Sequence, residues 1–220
     1  MNRVIDRGDV CARLEAARVY LVLEVAAADV VAPALRGGAD MVQLRDKTAP
    51  DTAVVSAGCE LRELCHRHGA LFLVNDRPDL ALECGADGVH LGQDDAPVEE
   101  VRAEVGDALA IGLSTHSAEQ IAAAEESSAD YYAVGPVHET PTKPGRPAVG
   151  LELVRHAGSV ASKPWFAIGG IDPGNVAQVA AAGARRVVVV RAIRDAADPA
   201  MAAHALRTAL EQEAAIGPAR

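Results

Sequence analysis

Aromatic residues are scarce: Phe, Trp and Tyr together make up 3% of the 220 residues. A core must therefore be built from Ala, Val, Leu and Ile, in a chain that is 50% hydrophobic. Val-rich strands under small-residue helices are the composition of buried parallel sheets. Positive charge is also short, with 21 Lys and Arg against 31 Asp and Glu and a formal net charge of −10. That balance disfavours nucleic acid or an anionic membrane as partner. It does not exclude a small anionic substrate, which needs only a local basic cluster. Long apolar runs are missing, the longest being stretches such as 187-VVVV-190, far below the roughly 20 residues of a membrane span. Paired cysteines are missing too. Cys11, Cys59, Cys65 and Cys84 form no C-x-x-C motif, so neither a zinc site nor a redox motif is indicated, and reduced cytosolic thiols are the simplest reading. Arg3, Asp6, Arg7 and Asp9 interrupt any apolar leader, which makes a cytoplasmic location the expectation. Homo-oligomeric assembly is compatible with this composition.

What is present is a repeated phrase: 37-GGADMVQL-44, 85-GADGVHL-91, 129-ADYYAVG-135 and 183-GARRVVVV-190. Each is a small-residue turn followed by a short apolar strand, and each follows an Ala/Leu/Val-rich helical stretch. Glycine just past a helix end is the expected left-handed cap. Eight strands are predicted, at 19–24, 41–45, 71–75, 88–91, 109–114, 131–135, 164–169 and 187–191. Helical segments are predicted near 29–36, 51–68, 77–84, 97–105, 117–127, 150–158, 173–182 and 198–215. Strands alternating with helices imply parallel pairing. Eight such units in this length predict an α/β protein, a compact single-domain TIM (β/α)8 barrel over residues 1–220. Residues 1–17 would be an N-terminal extension or helix, and 198–220 a C-terminal helix and tail. An open doubly wound sheet is the alternative, but no G-x-G-x-x-G follows the first strand.

Barrel chemistry gathers where strands end. Those ends carry Gln43, Arg45, Asp46 and Lys47; Asn75, Asp76 and Arg77; His90, Gln93, Asp94 and Asp95; Ser114, Thr115 and His116; the stretch 138-HETPTKPGRP-147; Gly169–Gly170; and Arg191. The strand starts are mostly plain Gly-Ala-Asp turns. Several of these residues have simpler explanations. Asp76 could cap the helix that Pro78 opens, and Asp95 could do the same before Pro97. His90 and His116 could be packed, hydrogen-bonded side chains, and Ser117-x-x-Gln120 has the spacing of a capping box. Together, however, the carboxylates of Asp76 and Asp95 suit Mg2+, which usually takes one or two protein carboxylates plus substrate phosphates and water. Arg45, Lys47 and Lys143 suit phosphate oxygens. Gly169–Gly170, ahead of a helix start at Asp172-Pro173, suits a second anion. The rim thus implies a diphosphate and a second phosphorylated molecule.

The stretches 42-VQLRDK-47, 74-VNDRPDLALECGADGVHLGQDD-95, 111-IGLSTH-116, 134-VGPVHETPTKPGRPAVGLE-152 and 166-FAIGGIDPGN-175 resemble the thiamine phosphate synthase (thiamine-phosphate diphosphorylase) family. The resemblance implies a TIM barrel that joins a hydroxymethylpyrimidine diphosphate to a hydroxyethylthiazole phosphate with loss of pyrophosphate. It implies that Gln43, Leu44, Arg45, Asp46, Lys47, Asn75, Ser114 and Lys143 hold the pyrimidine diphosphate. Arg45, Lys47, Lys143 and Ser114 would serve the chemical step. It assigns Mg2+ to Asp76 and Asp95, and the thiazole phosphate to Thr140, Pro141, Thr142, Gly170, Val190 and Arg191, the last standing where the family commonly has serine. Family chemistry breaks the pyrimidine C–O bond first, giving a carbocation that the thiazole nitrogen attacks, so no protein nucleophile is needed. A thiazole tautomerase-like isomerase and a non-catalytic phosphate-binding paralogue are the competing readings. The first would have little use for Lys47, Asp76, Asp95 and the TPTK stretch together, and the second would be expected to lose a carboxylate.

Overall fold

The structure is a computed structural model that describes residues 7–139 and 147–216. Eight parallel strands close in sequence order: β1 (Val19–Leu23), β2 (Met41–Leu44), β3 (Leu71–Asn75), β4 (Gly88–Leu91), β5 (Ala110–Thr115), β6 (Tyr131–Val134), β7 (Trp165–Ile168) and β8 (Val187–Val189), with β1 pairing β8. The (β/α)8 barrel expected from the alternating pattern is therefore the fold. The helices are α1 (Arg7–Ala16), α2 (Val31–Arg36), α3 (Asp51–Arg67), α4 (Pro78–Cys84), α5 (Val98–Val105), α6 (Ala118–Glu126), α7 (Gly150–Val160), α8 (Val176–Ala181), α9 (Arg191–Arg194) and α10 (Pro199–Ile216), with a 3-10 helix at Val25–Val30.

Three local expectations need correction. The helix expected near 29–36 is split between the 3-10 turn and α2, which Pro33 fits because its missing N–H falls within the first turn. The helix expected from 173 begins only at Val176. Asp172 Oδ1 accepts from Gly174 N at 2.8 Å and Asn175 Oδ1 accepts from Asp172 N at 2.9 Å, so this segment is a side-chain-closed turn first. The short helix α9 after β8 was not anticipated, because four residues give too little periodicity to read.

Side chains alternate in and out along each strand. The inward set includes Tyr20, Met41, Leu71, Leu73, Tyr131, Phe166 and Val188, which form one buried cluster with Val10 and Leu14 of α1. The outward set, including Leu21, Val42, Leu44, Phe72 and Val134, packs under the helices. Gly112 is required on β5: a Cβ there would lie 2.1 Å from Cζ of Tyr131, whose ring fills the barrel interior.

The turns at three strand starts, Gly-Ala-Asp before β2 and β4 and Ser-Ala-Asp before β6, are clamps. Asp40 Oδ2 accepts from Val19 N at 3.1 Å, Asp87 Oδ2 from Phe72 N at 2.8 Å, and Asp130 Oδ2 from Ile111 N at 2.7 Å. Each aspartate thus ties the start of one strand to the strand before it. Each also meets a helix side chain, Arg207, His66 and Arg102 respectively, at 2.8, 2.9 and 2.6 Å. These contacts lie on the rim opposite the strand ends, where barrel residues serve stability. Asp130→Ala leaves the Ile111 N–H without its acceptor and takes the carboxylate partner from Arg102 and Arg7, although Arg102 keeps its bonds to backbone carbonyls of Gly106, Leu109 and Ser128, at a cost of about 2–4 kcal/mol. At roughly 2–4 °C per kcal/mol for a chain of this size, Tm should fall by about 4–16 °C. Turnover measured at 25 °C should not change. A Tm within 1 °C of the parent protein would remove the clamp from the stability account.

Candidate active site

A cavity of about 370 Å3 opens at the C-terminal ends of the strands. Its floor is the inward-facing parity of the barrel: Tyr20 and Val22, Gln43, Asn75, His90, Ser114, Ala133, Ile168, and Val188 with Val190. Its walls come from the strand-end loops, with Glu24, Arg45, Lys47, Asp76 and the 92–95 turn. Beneath the floor runs a buried hydrogen-bonded chain. Gln43 Nε2 donates to Tyr20 Oη, Tyr20 Oη meets Tyr131 Oη at 3.1 Å, Tyr131 Oη meets His90 Nδ1 at 3.0 Å, and His90 Nε2 meets Ser114 Oγ at 3.0 Å. Phe166 packs edge-on against both tyrosines at 5.5 Å between ring centroids.

On the wall, Asp76 has φ 62°, the one non-glycine residue in the left-handed region among the described residues. Arg77 N donates to Asn75 O at 2.8 Å across it, closing a γ-turn that is strained for an L-residue. The turn separates neighbours: Asp76 lines the cavity while Arg77 is held outside by Asp51 and Asp79 at 2.9 and 2.6 Å. Asp76 does not cap α4; its N-cap is Arg77, without a side-chain bond. Backbone strain of this kind persists only where surroundings impose it, and it clusters at functional sites. Asp95 does not cap α5 either, whose N-cap is Pro97; it accepts from Gly92 N at 2.7 Å. Burial and then the neighbouring Asp95 push the Asp76 carboxyl above its ordinary range, and Lys47 at 3.3 Å offsets only part of this. Two hard carboxylate ligands held together against their own repulsion have the donor chemistry that could hold a divalent cation.

A second cavity, about 360 Å3, adjoins the first and shares Ser114, His116, Ile168, Val188 and Val190 with it. Its far side is Gly169, Gly170 and Arg191 at the ends of β7 and β8. Gly169 and Gly170 have φ 108° and 63°, and a Cβ on Gly169 would lie 2.5 Å from Pro136. Any larger residue would close the turn. Asp195 is taken by Arg194 at 2.7 Å, and Arg194 also reaches Glu24 at 3.0 Å, tying α9 to the loop after β1. Arg191, exposed at the start of α9, lines the cavity.

The profile of the family described as Thiamine monophosphate synthase matches residues 19–193. This chain belongs to that family. It is 54% identical over 194 residues to the Thiamine-phosphate synthase of Gloeobacter violaceus, covering 87% of this chain and 57% of that protein. It is 51% identical over 219 residues to that of Saccharopolyspora erythraea, covering 94% of this chain and 98% of the relative. Among solved structures, a thiamine phosphate pyrophosphorylase from Pyrococcus furiosus superposes with a TM-score of 0.84 at 34% identity, covering 93% of this chain and 98% of its own.

Of the residues expected from the thiamine monophosphate synthase resemblance, the structure brings Gln43, Arg45, Lys47, Asn75, Asp76, Asp95 and Ser114 to the first cavity, and Gly170, Val190 and Arg191 to the second. Thr140, Pro141, Thr142 and Lys143 lie outside the described residues. Leu44 and Asp46 do not line either cavity. Leu44, next to inward Gln43, must point outward and is buried under the helices. Asp46 turns back into its loop, where Oδ1 accepts from Thr48 N and Ala49 N at 3.0 and 2.9 Å. The Thr48 bond foremost holds its carboxyl below the usual range. It shapes the loop that carries Arg45 and Lys47. Residues not anticipated at the site are Tyr20, Tyr131 and Glu24. The two tyrosines share the inward parity of Gln43 and Ser114, a signal that was present in the strands. The Glu24 ion pair joins residues 170 apart and left no local trace.

Proposed function

We propose that this member of the family joins 4-amino-2-methyl-5-(diphosphooxymethyl)pyrimidine to 4-methyl-5-(2-phosphooxyethyl)thiazole, giving thiamine phosphate and pyrophosphate. The observation that carries the reading is the pair of abutting cavities. One is equipped with cations and two carboxylates, the other with a glycine turn and Arg191, and they meet at a wall of Ser114, Ile168, Val188 and Val190. Two anionic reactants seated in them would bring their rings together at that wall, away from the charged ends, which converts a bimolecular step into an oriented one.

Arg45 and Lys47 hold the diphosphate, and Gln43, Asn75 and Ser114 orient the pyrimidine ring. The Gly170 backbone N–H and Arg191 take the thiazole phosphate. Asp76 and Asp95 are the residues that would hold Mg2+; among the described residues no larger group of ligating side chains exists. That suits a cation that completes its shell with phosphate oxygens and water. When bound, Mg2+ would neutralise charge growing on the departing pyrophosphate. The cations of Arg45 and Lys47 act in the same direction. Lys143 extends the set in the family pattern. No nucleophilic side chain is called for, and the four cysteines lie on α1, α3 and α4, away from both cavities. Their unpaired state supports a cytoplasmic setting, and no helix among the described residues is long and apolar enough to cross a membrane.

The deciding experiment incubates the purified protein with both substrates and Mg2+ and follows thiamine phosphate and pyrophosphate together. Stoichiometric formation of both is expected. Conversion of the thiazole phosphate to an isomer without consumption of the diphosphate would establish the isomerase instead. Arg191→Ser restores the commoner family residue, whose hydroxyl and backbone N–H still bind phosphate. A rise in KM for the thiazole phosphate of about 3- to 30-fold is expected, below the full range of a charged contact. The KM for the pyrimidine diphosphate should hardly move, and the rise should shrink in high salt because Arg191 is exposed. An unchanged thiazole phosphate KM at low salt would leave the backbone alone as that phosphate's site.

A further inference from the structure

Two carboxylates stand where anions are to bind. Glu24, the first residue after β1, lines the cavity that also holds Arg45 and Lys47. Asp195, the first residue after α9, lines the adjoining cavity with Gly170 and Arg191. In a chain of net charge −10, an uncompensated carboxylate at either place would repel a phosphate. One guanidinium meets both. Arg194 Nη1 donates to Glu24 Oε1 and Oε2 at 3.1 and 3.0 Å. Its Nε and Nη2 donate to Asp195 Oδ1 and Oδ2 at 2.7 and 3.2 Å. Arg194 itself lines neither cavity, so its charge meets the two acids rather than a ligand. The arrangement suits a guanidinium: one edge faces Asp195 fork to fork and Nη1 remains for Glu24, which a single ammonium could not match. The bond to Arg194 foremost holds the Asp195 carboxyl below its usual range. Arg191 and Asp195 are four residues apart, the spacing at which helix side chains meet. Without Arg194, Asp195 would be left to pair with Arg191 and to cancel the cation of the second cavity.

We propose that Arg194 is a positioning residue of both substrate sites: by holding Glu24 and Asp195 together it neutralises one carboxylate in each cavity and leaves Arg45, Lys47 and Arg191 to the phosphates of the two substrates. The inference deepens the two-substrate reading above and rests on it. Side-chain exposure is 25% for Arg194, 44% for Glu24 and 51% for Asp195. Solvent therefore softens each pair, and the effect on binding is moderate and salt-dependent.

The test measures KM for each substrate at low salt in the parent protein, in Arg194→Ala, and in Arg194→Ala combined with either Glu24→Gln or Asp195→Asn. Arg194→Ala should raise both KM values by about 3- to 10-fold, the scale of partly exposed charges acting on multiply charged ligands. Adding Glu24→Gln should return the pyrimidine diphosphate KM to within about twofold of the parent and leave the thiazole phosphate KM raised. Adding Asp195→Asn should do the reverse. Both rises in Arg194→Ala should shrink in high salt. A merely structural tie between α9 and the loop after β1 behaves differently. Removing a second partner does not mend a broken tie, so both KM values would stay raised in both double variants. That result would overturn the proposal, and so would unchanged KM values in Arg194→Ala. Titration calorimetry with inorganic pyrophosphate and Mg2+ reads the first cavity without turnover. Arg194→Ala should weaken that binding, Glu24→Gln should restore it and Asp195→Asn should not. That pattern in a protein that makes no thiamine phosphate would refute the proposed reaction and not the role of Arg194. Turnover by the parent without either rescue would refute the role of Arg194 alone. Should Arg194→Ala be unstable, Arg194→Gln removes the same charge while keeping an amide donor, and the same rescues are expected of it.

Discussion

Asp76→Asn should reduce turnover by about 10- to 100-fold and at the same time raise the Tm of the metal-free protein at neutral pH. The first effect follows from removing one of the two carboxylates that face each other at the wall of the first cavity. A charge-assisted contact contributes about 1.5–3 kcal/mol, and the lost charge opposes a leaving diphosphate, where transition-state effects are largest. The second effect follows from the direction of the Asp76 shift. Burial and Asp95 raise the folded-state value above that of the unfolded chain. The Asp76 contribution to stability is therefore full below the unfolded carboxyl value, near 4. It is lost as pH rises through the raised folded value, leaving a net cost at pH 7 when no cation is present. An amide has no charge to desolvate. Asn also tolerates φ 62° better than other residues do. Adding Mg2+ should raise the Tm of the parent protein, because a ligand that binds only the folded state stabilises it, and should do so far less for Asp76→Asn. EDTA should abolish activity and Mg2+ restore it. Full turnover in EDTA by metal-free protein, or a Tm for Asp76→Asn below that of the parent, would each sink the assignment of these carboxylates.

Arg45→Ala should lower kcat/KM for the pyrimidine diphosphate by about 10- to 100-fold, the span of one lost charge-assisted contact. Arg45 lines the first cavity at the end of β2, and its backbone N–H is anchored to Leu23 O at 2.8 Å. Lys47, two residues on, is engaged by Asp76, so the Arg45 guanidinium is the less committed of the two wall cations. The loss should fall on kcat as well as on KM, since the charge matters most as pyrophosphate departs. Arg45→Lys should recover part of it, because the charge returns without the planar fork. The KM for the thiazole phosphate should stay within about twofold. A variant in which only that KM moved would place Arg45 with the other substrate.

The barrel was legible because its determinants are local and repeated. Eight apolar strands separated by helical stretches leave few alternatives once the pairing is parallel. Seven of the eight strands sit where the pattern put them, give or take a residue at the ends, and β8 stops at Val189, two residues before the expected 191. Half of the site was legible for the same reason. Gln43, Asn75 and Ser114 are polar residues on apolar strands, and Arg45, Lys47, Asp76 and Asp95 follow immediately after. Period-2 alternation, applied strictly, would also have excluded Leu44 and admitted Tyr20 and Tyr131. Asp46 could not have been sorted this way, because a carboxylate in a loop looks the same whether it faces a ligand or closes its own turn.

The amino-acid sequence by itself determined the architecture, the rim on which the chemistry stands and the charge types gathered there, since these depend on pattern and on neighbours a few residues apart. Only the tertiary structure decided the rest. It separated Asp76 inward from Arg77 outward through one left-handed residue. It turned the Gly-Ala-Asp phrases into clamps between strands, and it divided the rim into two adjoining cavities. It also drew Gln43, Tyr20, Tyr131, His90 and Ser114, from five different strands, into one chain of hydrogen bonds. Closure of the barrel is the physical cause. It brings inward side chains from across the sheet to 3.0–3.1 Å of one another, at sequence separations up to 111 residues, where no local periodicity carries the information.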